Sequence, residues 1–139
     1  MLFIPKKFKF KKHRKGKVFN RILVSSPSLY KLSLGTIGLK ALSANRINSK
    51  QLDAMRQSIN KIIKKTGKLI IHAFPNVPVS KKPIEVRMGK GKGVVDHWVF
   101  KIKPGFIICE IITDNKEIAV KALTVISKKL NLKTKIVLN

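Results

Sequence analysis

The chain has 139 residues, with 31 Lys or Arg against only 6 Asp or Glu, for a formal net charge of +25. That length suits one domain with a tail, and an apolar fraction of 44% supplies a core, which excludes a wholly disordered basic segment. Charge this unbalanced repels itself unless counter-charge lies close, so the expected partner is a polyanion whose phosphates shed condensed counterions on binding.

Residues 6 to 21 carry nine basic groups without an intervening acid: Lys6, Lys7, Lys9, Lys11, Lys12, Arg14, Lys15, Lys17 and Arg21. Phe8, Phe10 and Phe19 are interleaved. The stretch offers little to bury and much to repel, which predicts an extended arm that orders on a polyanion, with rings to stack on bases. His13 adds one more phosphate contact. Residues 1–30 therefore read as a basic arm and link, and residues 31–139 as one α+β domain.

Leu32 to Leu42 predicts a strand in which Gly35 and Gly38 mark a bulge or a close backbone approach. Asn48 or Ser49 caps a helix whose stripe is Leu52, Met55, Ile59, Ile62 and Ile63, at steps of the helical period. Lys50, Arg56, Lys61, Lys64 and Lys65 take its other faces, and Gly67 fits a left-handed stop. Lys68 to Phe74 reads as a buried strand, Asn76 to Lys82 as a loop and Pro83 to Arg87 as a strand. After a glycine loop, His97 to Lys103 and Phe106 to Ile112 form strands joined by a tight Pro104-Gly105 turn. Asp114 and Glu117 have the spacing of a capping box for a helix with the stripe Ile118, Ala122, Val125, Ile126 and Leu130. Asn131 ends that helix, and Lys133 to Val137 closes as a strand. The expected fold is α+β: a mostly antiparallel sheet with two helices packed on one face, leaving the arm and the loop for a partner.

Arg87-Met88-Gly89-Lys90-Gly91-Lys92-Gly93 is the most informative motif. Glycine lets the backbone take positive φ and approach a ligand closely, and the lysines make the loop cationic. It is not a nucleotide-hydrolysing loop, because Lys92 is followed by Gly93 rather than Ser or Thr. Nor is it a dinucleotide fingerprint, because its glycines step by two. The expectation is a slim, flexible, positive finger.

A catalytic reading fares poorly. Asp114 and Glu117 are absorbed by capping, and Asp53 is placed to pair with Lys50 or Arg56. Glu85, Asp96 and Glu110 read as partners of ordinary ion pairs among abundant lysines. His13, His72 and His97 lack the spacing of a metal site. Cys109 sits in an apolar run as a core residue. Being the only cysteine, it allows no intrachain disulfide and suits a reducing compartment. Trp98 reads as core, with base stacking as the alternative. No catalytic residue, metal or cofactor is expected. Lysines outnumber arginines 26 to 5, and Ile, Asn and Phe are plentiful, a skew that suggests an AT-rich coding genome such as an organelle's. The N-terminus lacks the apolar core of a secretory signal and the Arg/Ser-rich pattern of a transit peptide.

The chain resembles the L-sixteen family of large-subunit ribosomal proteins, bacterial and organellar type, over about residues 6 to 137. The most specific match is Lys82-Pro83-Ile84-Glu85-Val86-Arg87-Met88-Gly89-Lys90-Gly91-Lys92-Gly93, followed by Trp98-Val99 and Pro104-Gly105. Gly38-Leu39-Lys40-Ala41, Arg46, Gln51-Leu52-Asp53-Ala54-Met55-Arg56, Lys64-Lys65-Thr66-Gly67-Lys68, Phe74-Pro75 and the arm from Lys7 to Gly16 support it. The resemblance implies a structural protein embedded in large-subunit rRNA, with tRNA and neighbouring ribosomal proteins as partners and no membrane. It adds Lys40, Arg46 and Arg56 to the rRNA-binding residues of the arm. It also implies that Arg87 to Gly93 reach toward tRNA near the peptidyl-transferase centre. A mitochondrial ribosome is the expected location, with a plastid or the bacterial cytoplasm as alternatives. Ile70, His72, Asn76 and Cys109 depart from the family pattern, and His72 in place of Arg is expected to weaken one phosphate contact. Residues 23 to 30 look divergent. Rival readings are a general basic protein that coats nucleic acid and a membrane-active cationic protein.

Overall fold

Two small antiparallel sheets organise the chain in the computed structural model, which describes residues 3–14, 16, 18 and 31–138. Lys15, Lys17, Phe19, Arg21 and the divergent stretch 23 to 30 lie outside those residues. The elements are β1 (Ile37–Ala41), β2 (Asn45–Asn48), α1 (Ser49–Ile63), β3 (Gly67–Ile71), β4 (Val77–Lys81), β5 (Val94–Ile102), β6 (Ile107–Thr113), α2 (Lys116–Lys129) and β7 (Thr134–Leu138). The larger sheet has the order β3-β6-β1-β7 and the smaller one β2-β5-β4.

Both helices bury an apolar stripe. In α1 it is Leu52, Met55, Ile59 and Ile63, and in α2 it is Ala119, Ala122, Leu123 and Ile126. These meet Ile37 and Leu39 of β1 and Ile111 of β6 in one continuous core. Each large aliphatic side chain buried there contributes about 1.5–3 kcal/mol. At the far ends the helices are bridged by the Lys129 ammonium, which donates to the Ser58 hydroxyl at 2.8 Å. The α+β class and the paired helices match the expectation, but a second sheet carries the remaining strands.

Several local expectations are corrected. Asn76 to Lys82 is not wholly loop, because Val77–Lys81 forms β4 against β5. Pro78 is tolerated because β4 is an edge strand and needs no donor there. Pro83 to Arg87 is turn rather than strand: Ile84 is 96% exposed and Val86 half exposed, so neither has a surface to pack on. The short β2 was not foreseen, yet it delivers Asn48 to its cap. The Asn48 side chain accepts from the Lys50 N–H, and the Asn48 N–H donates to Gln51 Oε1 at 2.9 Å. The left-handed stop of α1 is Lys64, with φ 54°, and not Gly67. Gly67 is needed for another reason: a Cβ there would sit 2.8 Å from the Ile112 carbonyl oxygen. Asn115, not Asp114, caps α2, and Val125 faces solvent while Ala119 and Leu123 complete the stripe.

Candidate nucleic-acid interface

The smaller sheet gathers the basic segments. The arm touches the body at separate points, while residues 6–14 remain exposed. Phe3 packs against the core, and the Phe8 ring meets Trp98 of β5 edge-on, with centroids 5.0 Å apart. The two rings thus pack edge to face, with Trp98 half-buried and Phe8 still 39% exposed. Phe10 is 69% exposed, with the Lys9 ammonium 5.6 Å above its ring. Further along, two cations of the body hold arm carbonyls: Lys92 donates to His13 at 2.6 Å, and Arg46 of β2 donates to Gly16. Lys101 lies beside the same glycine. These contacts join residues far apart in sequence, which is why no local pattern announced them.

The finger is the hairpin connection between β4 and β5, closed by the pair Lys81 and Val94. Gly89, Lys90 and Gly91 all have positive φ, at 96°, 51° and 81°. A Cβ on Gly89 or Gly91 would meet nothing within 4 Å, so only backbone conformation demands glycine there. Gly93 is different: a Cβ there would lie 2.5 Å from the Lys81 carbonyl oxygen, so it lets the base of the finger close. The Lys82 ammonium caps the Gly89 carbonyl. Met88 is 98% exposed.

Of the arm residues picked out in the sequence, Lys6, Lys7, Lys9, Lys11, Lys12, His13 and Arg14 are exposed. Arg87, Met88, Lys90 and Lys92 of the finger are exposed too. Lys40, Arg46 and Arg56 are half-buried. Arg46 joins the arm, while Lys40 sits in β1 and Arg56 on α1. The Arg56 Nε is buried and makes no hydrogen bond among the described residues. Asp53 forms no ion pair with Lys50 or Arg56. Among the described residues no lysine lies within 4 Å of a carboxylate, so the lysine charge is not cancelled within the fold.

Two of the acids instead engage histidines. His97 bonds to Asp96 at 2.7 Å, which holds that exposed carboxyl below its ordinary range. Glu110 is the residue that the sequence reading undervalued. It is 1% exposed in the central strand β6, and it accepts from the N–H groups of Ser33 at 3.1 Å, Leu34 at 3.0 Å and Gly35 at 2.7 Å. His72 Nε2 adds a contact at 3.0 Å. Burial pushes this carboxyl up, but the three backbone donors and His72 outweigh it and the net shift is downward. Gly35 must be glycine, because a Cβ would stand 2.6 Å from the Glu110 Cβ. His72 therefore faces a carboxylate of its own chain. A carboxylate inside the apolar run Phe106 to Ile112 was the available signal, since a buried charge must be paired. Cys109 beside it is fully buried, and burial pushes its thiol up to about 12, so it is core as expected. No helix is long and apolar enough to cross a membrane among the described residues.

A small helix-backed domain that displays uncancelled lysines on a strapped arm and an open finger is a scaffold protein for a polyanion. The family described as Ribosomal protein L16p/L10e matches residues 5–137, and the chain belongs to it. It is 46% identical to the large ribosomal subunit protein uL16 of Afipia carboxidovorans over 133 residues, covering 96% of this chain and 94% of that protein. The proteins of the same name from Allorhizobium ampelinum and Rhodopseudomonas palustris are 44% and 46% identical over the same shares. The family is structural, and the chain is not an enzyme.

Proposed function

We propose that this chain is a structural constituent of the large ribosomal subunit that binds large-subunit rRNA through its arm and smaller sheet, and presents the finger to tRNA. The observation that carries the reading is the set of uncancelled lysines on two segments of a chain belonging to a ribosomal family. Lys6, Lys7, Lys9, Lys11, Lys12, His13, Arg14, Lys15, Lys17 and Arg21 are assigned to rRNA, together with Lys40, Arg46 and Arg56. Arg87, Met88, Lys90 and Lys92 are assigned to the tRNA side, with Gly89, Gly91 and Gly93 shaping the approach. Residues 1–30 act as the anchoring arm and link, and residues 31–139 as the domain that neighbouring ribosomal proteins adjoin. The RNA performs the chemistry, and the protein positions it.

The Lys, Ile, Asn and Phe skew favours a mitochondrial ribosome, against the alternatives of a plastid or a bacterial cytoplasm. Sedimentation of lysate in magnesium, then in EDTA with nuclease, tests the assembly: the chain travels with large particles and is released by RNA digestion. Travel with DNA or lipid instead supports a rival. Particles carrying Arg87→Ala and Lys90→Ala test the finger: tRNA accommodation falls while assembly persists. Normal accommodation by such particles removes the finger role.

A further inference from the structure

Where the arm crosses the smaller sheet, a cavity of about 100 Å³ remains between them. One water needs only about 10–15 Å³ on a comparable measure, so the space holds a small ring rather than a single solvent molecule. Three kinds of group line it. Val79 of β4 and Val99 of β5, with neighbouring Pro78, give an apolar floor. Arg46 and Lys92 supply cations at the rim, and His13 an imidazole, so that edge is rich in donors. Ser80 supplies a hydroxyl whose Oγ is buried and has no hydrogen-bond partner among the described residues.

Each feature narrows the occupant. An orphaned buried hydroxyl costs about 1–3 kcal/mol, so it calls for a polar atom at that depth. The Lys92 ammonium has three donors and spends one on the His13 carbonyl. A bare phosphate would satisfy the rim but waste the valine floor. An acyl chain would fill the floor but leave the Ser80 hydroxyl without a partner. A base-paired stack is too wide to enter. A planar heteroaromatic ring with polar edge atoms and an attached phosphate uses all three features at once.

We propose that this cavity seats a single unstacked ribonucleotide, its base on the valine floor and against Ser80, its phosphate at Lys92 and Arg46. The inference rests on the rRNA reading above and specifies one nucleotide of that partner. The arm closes the seat, so a seated nucleotide also holds the arm in place. RNA is read by proteins mainly through such unpaired, splayed bases.

The test is a titration of the full chain, with valine methyls labelled for NMR, at constant ionic strength. The probes are the four nucleoside 5′-monophosphates, ribose 5-phosphate and inorganic phosphate. The expected result is saturable shifts at Val79 and Val99 with at least one nucleotide, bound about tenfold more tightly than inorganic phosphate. Ser80→Ala should weaken that nucleotide about fivefold, as loss of one hydrogen bond would, with the fold unchanged by circular dichroism. Lys92→Gln should weaken nucleotide and ribose phosphate alike. Equal binding of inorganic phosphate, shifts that never saturate, or indifference to Ser80→Ala each overturn the seat. If the chain still binds large-subunit rRNA in that case, only this inference falls; loss of both brings down the ribosomal reading as well.

Discussion

The arm and the finger are both basic and both lie outside the core, yet they are held in opposite ways. The arm is positioned by side chains outside it: Trp98 against Phe8, Arg46 on the Gly16 carbonyl, and Lys92 from the base of the finger on the His13 carbonyl. The finger is shaped by its own backbone, through three successive residues at positive φ, and its tip side chains Met88 and Lys90 are exposed, while Lys92 at its base reaches the arm. The lesson is that a surplus of charge need not mean absence of structure. Phe8 of the arm packs within the molecule and helps turn a repulsive segment into a strap. The finger spends its glycines on shape and leaves Ile84, Arg87, Met88 and Lys90 unspent for a partner.

The contrast can be broken most strongly at the root of the arm. Glu110 fixes Ser33, Leu34 and Gly35, where the link enters the domain. Glu110→Ala orphans three backbone donors and His72, and should cost about 3 kcal/mol by urea unfolding. Because the folded carboxyl titrates below its ordinary value of 4.5, its stabilisation is complete above that pH. It is lost as pH falls through the lowered folded value, so the contribution of Glu110 to the urea midpoint should be constant with pH near neutrality and shrink in acid. In Glu110→Gln that acid-dependent component should disappear.

A smaller effect is expected at the strap itself. Phe8→Ala removes the edge-on contact and should cost about 1 kcal/mol, read as faster proteolysis within residues 6–14 and a shift of Trp98 fluorescence. Comparable loss at the finger is not expected: Arg87→Ala with Lys90→Ala should leave stability within about 0.5 kcal/mol while weakening RNA binding. Lys64→Gly works in the opposite direction: it relieves a non-glycine residue at φ 54° and should raise stability by about 0.5–1 kcal/mol in thermal unfolding. A stability loss for the finger variant as large as that for Phe8→Ala would erase the distinction between strap and finger.

The parts legible in the sequence are those set by local periodicity or backbone chemistry. The stripe Leu52, Met55, Ile59 and Ile63, the Asn48 cap and the Pro104-Gly105 turn, with Gly105 at φ 89°, all follow from spacing and residue type. β4 was obscured because Pro78 argues against a strand, and only the edge position in the smaller sheet excuses it. β2 is four residues long, too short for alternation to register. The Glu110 nest, the Phe8–Trp98 contact and the Lys92–His13 bond depend on tertiary approach. Their constituents were visible one by one, as an acid in an apolar run, an aromatic in a basic arm and a lysine between glycines. Nothing local says which of them meet. The difference between arm and finger is therefore the least legible feature, although both were recognised as basic.

The dependence of large-subunit rRNA binding on salt tests the account most directly, since it counts the phosphates that the uncancelled lysines neutralise. Each phosphate contact contributes about 0.7–0.9 to the slope of log affinity against log salt. The full chain should show a steep slope. Charge removal at Lys6, Lys7, Lys9, Lys11 and Lys12 should reduce it by several units, and removal at Arg87 and Lys90 by no more than about two. A shallow slope for the full chain, or one that ignores the arm lysines, would contradict it.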